Sequence, residues 1–199
     1  IADQEAAQDP HHIRKDCLNR QHQDLGQKPR DYQVLDRVNR KGLQGIDLVN
    51  RFVLDVGTGS GVLVFAADRL GAAGAVGIDN DPDAIQSACD NLRLNPGTGD
   101  GIEFRETDLR TGLPLADVVT ANLTGALLAR EATALVSAVR PGGTLIVSGL
   151  LVDERSAVVE AFAPARVVWE RTEDEWVGLV FQTAGREIVT GNETQANQV

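Results

Sequence analysis

Methionine is absent from all 199 residues, and lysine and histidine are absent from most of them. The three Lys and three His all lie within the first 41 residues. From Phe52 onward the chain carries ten Arg and no Lys against 21 acidic residues. Acid–base or metal chemistry in that part must therefore use carboxylates, amides, hydroxyls or a bound cofactor. Its acidic charge repels the phosphate backbone of nucleic acids, so we expect no direct nucleic-acid partner.

Cysteine and long apolar runs are also scarce. Cys17 and Cys89 are too few for a zinc site, and their separation makes a disulfide framework improbable. The chain has no run of about 18 apolar residues that would span a membrane, and no signal-peptide pattern. We therefore predict a cytoplasmic protein without a membrane partner or a metal, with the adjacent His11 and His12 on the solvated surface. Because residue 1 is Ile, we expect translation to begin upstream.

The length and the 42% hydrophobic content are sufficient for one buried core with appendages. Residues 1–48 are polar and predicted to form a partly helical leader, 49–182 the folded domain, and 183–199 a polar tail. Strand and helix signals alternate in the folded domain. This alternation predicts an α/β, Rossmann-like fold with a mostly parallel sheet and helices on both faces. Ligands of such sheets bind beyond the carboxyl ends of the strands.

Two predicted helices have clear boundary signals. Asp81-Pro82 supplies an N-cap and a first-turn proline, and apolar residues then recur at helical spacing. Cys89 falls on that apolar face and is predicted to be buried. A second, longer helix is predicted from Thr124 to Val139, where the turn Arg140–Gly143 ends it.

The segment Val53–Gly61 reads VLDVGTGSG and places glycines at the alternate positions 57, 59 and 61. This spacing differs from the G-x-G-x-x-G of dinucleotide loops, and the segment has no Lys of the kind that a P-loop uses to reach a phosphate. A cofactor without phosphate suits it better. S-adenosylmethionine carries a sulfonium and an ammonium, which Asp55 tolerates. The simpler alternative is that the glycines only make a tight strand-to-helix turn.

Acidic residues follow the next two predicted strands. Asp79 lies 18 residues beyond Gly61, where a carboxylate can accept hydrogen bonds from ribose hydroxyls. Asp81 is better explained as the helix N-cap. Asp108 follows the third strand and could accept a hydrogen bond from an adenine amino group, although acidic residues are common in loops.

Asn122 ends the fourth predicted strand. There its side chain could accept a hydrogen bond from an incoming amine and orient the nitrogen lone pair toward a methyl group. The alternative is that Asn122 is an N-cap or turn residue for the helix that begins near Thr124.

Together these motifs resemble the class I S-adenosylmethionine-dependent methyltransferases. Within that class, the chain is most similar to the bacterial methyltransferases of ribosomal large-subunit protein 11. The similarity is carried by segments 54–61, 77–82, 121–123, 140–143, 148–151 and 175–180. The last two of these segments and Asn122-Leu123 are the narrower, family-level elements.

The resemblance implies a seven-stranded sheet whose last strand is antiparallel, S-adenosyl-L-methionine as cofactor and an amino group of a ribosomal-type protein as acceptor. It also implies roles for individual residues: Gly57, Gly59 and Gly61 at the methionine part, Asp79 at the ribose, Asp108 and Leu109 at the adenine, and Asn122 with the Leu123 carbonyl at the acceptor amine. Asp55, Thr58 and Asn80 lie in the same motifs and complete the predicted cofactor-binding set. Asn122 is the predicted catalytic residue.

Two elements of the family have no clear counterpart in this sequence. The family places a substrate-recruiting domain before the catalytic one, whereas the first 50 residues here are few and polar. The family's Gly- and His-containing cofactor loop is also missing, since residues 31–50 offer only Gly42 and Gly45. Alternatives are a methyltransferase of a small molecule or another protein, a non-catalytic cofactor-binding scaffold, and an NAD-dependent oxidoreductase. The glycine spacing and the lack of a Tyr-Lys pair or His in the domain disfavour the oxidoreductase.

Overall fold

The computed structural model describes residues 41–95, 97–98 and 100–185. Its strands are β1 (Phe52–Val56), β2 (Gly74–Asp79), β3 (Ile102–Glu106), β4 (Ala116–Asn122), β5 (Val139–Leu151), β6 (Arg166–Glu173) and β7 (Trp176–Gln182). Its α-helices within the domain are α1 (Val62–Arg69), α2 (Pro82–Leu94), α3 (Gly125–Arg130), α4 (Ala132–Ser137) and α5 (Arg155–Ala161). Residues 41–44 are also helical.

The seven strands form one sheet in the order β3-β2-β1-β4-β5-β7-β6. Strands β1 to β5 pair in parallel, and β7 runs antiparallel to both of its neighbours. The predicted seven-stranded, mostly parallel sheet is therefore confirmed. The chain builds outward from β1 in one direction through β2 and β3, and in the other through β4. The strand order thus reverses between β1 and β4, where open α/β sheets hold their ligands.

Both faces of the sheet are apolar, as expected for parallel strands that helices cover on each side. Leu54 and Val119 belong to one buried cluster, and Val53 and Val118 belong to the other. Leu43, from the end of the predicted leader, is fully buried in the second cluster. The predictions for residues 1–40 and 186–199 lie outside the described residues.

The predicted helix Thr124–Val139 is wrong in length and continuity. It is divided into α3 and α4 at Glu131, whose φ of −102° and ψ of 12° depart from helical geometry, and Val139 already belongs to β5. Apolar periodicity did not reveal this break because the buried residues on either side keep facing the sheet. The turn at 140–143 is an insertion in strand pairing, since Ala116 pairs with Val139 and Val118 with Thr144.

Cys89 is buried on α2, as its helical spacing predicts. It is disulfide-bonded, so the prediction that a disulfide is improbable is wrong, and the scarcity of cysteine gives no support to a cytoplasmic location. Cys17 lies outside the described residues.

Within the part of the chain that the structure describes, no helix is long and apolar enough to cross a membrane.

Candidate active site

A cavity of about 370 Å³ lies beyond the carboxyl ends of β1 to β4, where the strand order reverses. This volume falls within the roughly 300–1,000 Å³ of small-molecule sites. The cavity is lined by Val56, Gly57, Gly59, Ile78, Asp79, Asn80, Thr107, Asp108, Leu109, Arg110, Asn122, Leu123, Leu127, Arg130 and Glu131.

Most residues predicted to bind the cofactor are brought together on this wall. They are Gly57, Gly59, Asp79, Asn80, Asp108, Leu109 and Asn122. Asp55, Thr58 and Gly61 belong to the same glycine loop, but they do not line the cavity. The structure places these three on the side of the loop that faces the core, where their contacts hold the loop in place.

The glycine loop needs glycine for its backbone path. Gly57, Gly59 and Gly61 have φ angles of 72°, 54° and 79°, a left-handed conformation that other residues adopt at a cost. The N–H groups of Gly57 and Thr58 both donate to the Ile78 carbonyl at 2.9 Å, which fastens the loop to the end of β2. The loop is therefore more than a connection between β1 and α1, since it also shapes one side of the cavity.

Asp55 anchors the loop from below. Its carboxylate accepts hydrogen bonds from the Thr58 hydroxyl at 2.7 Å and the Thr120 hydroxyl at 2.6 Å, and the residue is only 1% exposed. Asp55 and Thr120 are direct partners in the β1–β4 register, so their side chains project to the same face of the sheet. This pairing turns the carboxylate into the interior, away from the cavity.

Gly61 is set against aromatic rings. A Cβ at this position would lie 2.6 Å from Phe104 Cζ and 3.1 Å from Phe65 Cε2. The backbone at Gly61 therefore packs directly on the two rings of the core. A side chain at this position would force these rings to move.

Asp79 faces the cavity at the end of β2 with a carboxylate that two backbone groups hold in place. Its Oδ2 accepts from the Gly59 N–H at 3.0 Å, and its Oδ1 accepts from the Asp81 N–H at 3.1 Å. An ionised carboxylate can accept about four hydrogen bonds, so capacity remains for two hydroxyl groups of a ligand. Asp81 caps α2 by accepting from the Asp83 N–H at 2.9 Å, as predicted.

Asp108 is paired with a cation that the sequence analysis did not include. The Arg110 guanidinium donates to both carboxylate oxygens, and the Arg110 backbone N–H donates to Oδ1 at 2.9 Å. The hydrogen bonds from the Arg110 side chain and backbone hold the pKa of Asp108 well below its ordinary value. The residue also starts a 3-10 turn at Leu109–Thr111. Asp108 is therefore an ionised acceptor at the β3 side of the cavity.

Another wall is formed by one side of α3 and by Glu131, the residue that follows it. Leu127, Arg130 and Glu131 all line the cavity, and Leu127 and Arg130 share a helical face because they are three residues apart. Arg130 Nε donates to Glu131 Oε1 at 2.8 Å. Each Arg on the wall is thus neutralised by a neighbouring carboxylate. Helical spacing was the signal that could have identified this face, whereas Arg110 had no comparable signal.

Asn122 and Leu123 present two hydrogen-bond acceptors to one place at the end of β4. A Cβ built on Gly149 would lie 2.9 Å from Asn122 Oδ1 and closer still to the Leu123 carbonyl oxygen. Both oxygens therefore lie close to the same side of the Gly149 backbone. The helix N-cap is Thr124, so the structure does not support the alternative reading of Asn122 as that cap.

Ser148 contacts both of these residues. Its hydroxyl donates to Asn122 Oδ1 at 3.2 Å, and its carbonyl accepts from the Leu123 N–H at 3.0 Å. The sequence motif around Ser148 and Gly149 contributed to the family resemblance, but it gave no role to either residue. Their significance depends on the β4–β5 register, which pairs Asn122 with Ser148.

The two upstream glycines lie elsewhere. Gly42 packs toward Ile146 and Val180, and Gly42 and Gly45 line a separate cavity of about 280 Å³ that includes Trp169. Neither glycine reaches the wall of the cavity at the strand ends. In the described ranges, no group of three or more His, Cys, Asp or Glu is arranged to hold a metal.

Two solved structures share this architecture. Ribosomal protein L11 methylase from Lactobacillus delbrueckii subsp. bulgaricus matches with a TM-score of 0.71 and 23% identity, over 81% of this chain and 90% of that one. An RNA methyltransferase from Salinibacter ruber in complex with S-adenosyl-L-homocysteine matches with a TM-score of 0.61 and 23% identity, over 80% and 94% of the two chains. At this identity the likeness establishes the fold, a Rossmann-like sheet of the methyltransferase type.

Sequence comparison goes further. The ribosomal protein L11 methyltransferase of Pelobacter propionicus is 39% identical over 141 residues, which cover 70% of this chain and 45% of that protein. The chain spans less than half the length of the curated relatives it matches. The profile of the family described as ribosomal protein L11 methyltransferase (PrmA) matches residues 34–184, and the chain therefore belongs to that family.

Proposed function

We propose that this chain contains the catalytic unit of an S-adenosylmethionine-dependent methyltransferase that modifies amino groups of a ribosomal-type protein. The observation that carries the proposal is the convergence of two acceptors, Asn122 Oδ1 and the Leu123 carbonyl oxygen, beside the cavity. Two acceptors in one place suit a group that carries N–H donors. The names of the curated relatives support a ribosomal protein as the source of that amine.

The residues present fit the cofactor. Glycines at 57 and 59 keep one side of the cavity open, and Asp79 retains acceptor capacity for two ribose hydroxyls. Asp108 and Leu109 would border the adenine. Both cavity arginines are paired with carboxylates, which suits a ligand without phosphate better than a dinucleotide. Asp55, Thr58 and Gly61 would act indirectly, by fixing the loop.

When bound, S-adenosylmethionine supplies a methyl group on a sulfonium, which is already an activated leaving group. The protein then has to bind and orient the acceptor, which is catalysis by proximity. Asn122 and Leu123 would accept the N–H groups of the amine and so direct its lone pair into the cavity. A protonated amine has no lone pair, and the described residues that line the cavity include neither His nor Lys. Its proton would therefore leave to water or a carboxylate.

Two further parts of the proposal concern where and on what the protein acts. We place it in the cytoplasm, where a bacterial ribosomal protein is made and assembled. We also expect the protein acceptor to bind directly, without a nucleic-acid or membrane contact, because the domain is acidic from Phe52 onward.

The test is methyl transfer by the wild-type chain and by Asn122→Ala. Purified ribosomal protein L11 is the acceptor, methyl-labelled S-adenosylmethionine the donor, and mass spectrometry locates the modified amine. We expect Asn122→Ala to lower kcat by about 10²-fold, as for a loss of transition-state positioning, because one of the two acceptor oxygens is removed. Cofactor affinity, measured by calorimetry, should change by less than about threefold, since only the acceptor side is altered.

Three outcomes would contradict this assignment in different ways. Unchanged turnover of Asn122→Ala would remove Asn122 from the acceptor site. Tight binding of S-adenosylmethionine without transfer to L11 or to any protein of a cell extract would indicate a scaffold. Binding of NAD without binding of S-adenosylmethionine would indicate an oxidoreductase.

A further inference from the structure

Strand β5 is irregular where it reaches the acceptor site. Its antiparallel register with β7 shifts between Val147 and Leu150, so Ser148 and Gly149 form a bulge. Gly149 has a φ of 88°, and Ser148 is fully buried. Bulges are common beside active sites because the extra residue redirects a side chain or the backbone.

The first residue of this bulge holds the acceptor oxygens from one side. The Ser148 hydroxyl contacts Asn122 Oδ1 at 3.2 Å, while the Ser148 carbonyl binds the Leu123 N–H at 3.0 Å. One buried residue is therefore bonded to the side chain of Asn122 and to the backbone of Leu123. The hydroxyl occupies one of the two lone pairs on Oδ1, which leaves the other for a ligand.

The second residue of the bulge brings the backbone of β5 close to those oxygens. A Cβ on Gly149 would contact the Leu123 carbonyl group and lie 2.9 Å from Asn122 Oδ1. These are the atoms that an amine has to reach. The left-handed φ of Gly149 already disfavours a side chain, and the close approach excludes one without movement of Leu123 or Asn122.

We propose that the Ser148–Gly149 bulge is the device that positions the acceptor amine. Ser148 is a positioning residue that holds the Asn122 amide with Oδ1 toward the acceptor, and Gly149, which has no side chain, lets the bulge pass close to Oδ1 and to the Leu123 carbonyl oxygen without displacing either of them. This role rests on the proposed function, because it assumes that the acceptor is an amine. It adds two residues of β5, Ser148 and Gly149, to the acceptor site that Asn122 and Leu123 form at the end of β4.

Gly149→Ala tests the close approach of the bulge to the two oxygens, and Gly97→Ala is its matched control. Gly97 has a φ of 102° and nothing within 4 Å of an added Cβ, so its substitution repeats the backbone cost without the contact. We expect Gly149→Ala to lower kcat on L11 by about 10²-fold, the size that a displacement of about 1 Å can cause. Gly97→Ala should keep wild-type kcat. The affinity for S-adenosylhomocysteine should stay within about threefold of wild type in both.

Ser148→Ala tests the hydroxyl, and Thr144→Val is its control on the same strand. Both substitutions remove a buried hydroxyl from β5, but Thr144 lies toward the other end of the strand, opposite Gln182. We expect Ser148→Ala to lower kcat by about tenfold, which corresponds to the loss of one hydrogen bond. KM for S-adenosylmethionine should not change. Thr144→Val should affect only the free energy of unfolding, measured in urea.

A direct binding measurement separates this role from the proposed function. The side-chain amide of Asn122 is labelled with ¹⁵N, and n-butylamine is titrated into each protein saturated with S-adenosylhomocysteine. We expect the Asn122 signal to shift with amine in the wild type and in Gly97→Ala, and not in Gly149→Ala. Ser148→Ala should already show a displaced signal without amine.

The outcomes are distinguishable. If the wild type methylates L11 while Ser148→Ala and Gly149→Ala keep its kcat, the positioning role is overturned and the function stands. If the wild type methylates no amine, the proposed function fails, and the titration still decides the role. An Asn122 signal that ignores amine in the wild type, or that responds equally in Gly149→Ala, overturns the positioning role. Should Gly149→Ala not fold, Ser148→Ala carries the test alone.

Discussion

The Asp79 side chain both holds the backbone around it and lines the cavity. It holds the glycine loop through the Gly59 N–H and the next turn through the Asp81 N–H, and it still faces the cavity. The backbone donors fix the carboxylate before a ligand arrives. A preorganised acceptor loses little freedom when it binds ribose hydroxyls, so its contribution to affinity is correspondingly large.

Asp79→Ala should therefore weaken binding of S-adenosylhomocysteine by about 10- to 100-fold, the equivalent of losing hydrogen bonds to a charged group at about 1.5–3 kcal/mol. Asp81→Ala is the control two residues away. It removes the N-cap of α2 and should lower the free energy of unfolding by about 1 kcal/mol, without a change in cofactor affinity. Calorimetry and urea unfolding measure the two effects. Equal loss of affinity in both variants would mean that Asp79 acts only through the local fold.

Asp108 depends on Arg110 in a way that pH can reveal. Hydrogen bonds from Arg110 lower the pKa of Asp108, so its carboxylate remains ionised at pH values where an ordinary Asp, with a pKa of about 3.9, is taking up protons. Arg110→Ala removes the guanidinium donors but keeps the backbone N–H at position 110, so the pKa of Asp108 rises part of the way toward the ordinary value. The acid-side decline in affinity for S-adenosylhomocysteine should consequently begin at higher pH in Arg110→Ala than in the wild type.

The measurement is calorimetry across the acid range in which circular dichroism shows both proteins folded. Protonation of the ligand itself is common to both proteins and does not affect the comparison. Arg110→Lys keeps a positive charge and should give an intermediate profile. Coincident profiles for wild type and Arg110→Ala would show that Asp108 does not accept from the cofactor.

The loop between β1 and α1 owes its shape to contacts on both sides. Its upper surface lines the cavity, whereas Gly61 rests on the buried ring of Phe104. Tight packing below and an open cavity above mean that the two sides tolerate substitution differently. Stability should respond to the lower side, and ligand affinity to the upper one.

Gly61→Ala should lower the free energy of unfolding by about 2–4 kcal/mol, from the cost of a left-handed φ together with overpacking against Phe104. Gly71→Ala is its control, because Gly71 ends α1 with a φ of 88° and the nearest atom to an added Cβ lies 3.6 Å away, an ordinary contact. That variant should lose only the conformational part, about 1–2 kcal/mol. Urea unfolding of both gives the difference, and equal losses would show that Phe104 adjusts freely.

Local signals in the sequence were sufficient for most strands and for the start of α2. Short buried runs bounded by glycine or acidic residues predicted β1 and β2, and Asp81-Pro82 predicted the N-cap of α2. The interior position of Asp55 was not predictable in this way, because it follows from a hydrogen bond to Thr120, which is 65 residues away. The Ser148–Gly149 bulge likewise depends on pairing between distant strands. Contacts between residues that meet only because two distant strands pair in a given register produce no periodic pattern in the sequence.

The whole molecule carries a formal charge of −10, and its pI is about 4.7. Nonspecific nucleic-acid affinity comes from lysines and arginines that neutralise phosphates. The domain from Phe52 onward has no Lys. Its field should therefore exclude RNA from the surface, and a protein acceptor would be recognised without help from the surrounding ribosomal RNA.

In mobility-shift assays at physiological salt, the protein should bind ribosomal RNA fragments more weakly than about 10⁻⁴ M, the weak end of nonspecific binding. A basic protein of similar size is the positive control. Methyl transfer to L11 should proceed equally with and without added RNA. A retarded RNA band at micromolar protein, or transfer that requires RNA, would contradict a protein acceptor recognised alone.

The antiparallel direction of β7 determines where the folded domain can be joined to other molecules. Paired residues form one row across the sheet, from Val53 through Val118 and Thr144 to Gln182. The start of β1 and the end of β7 therefore lie at the same end of the sheet, where the parallel strands begin. The cavity opens at the opposite end of the sheet, beyond the carboxyl ends of the parallel strands. A surface linker or fluorescent label attached after β7 would thus leave the mouth of the cavity facing solvent. A domain joined after β7 would therefore start from the end of the sheet that lies away from the cavity.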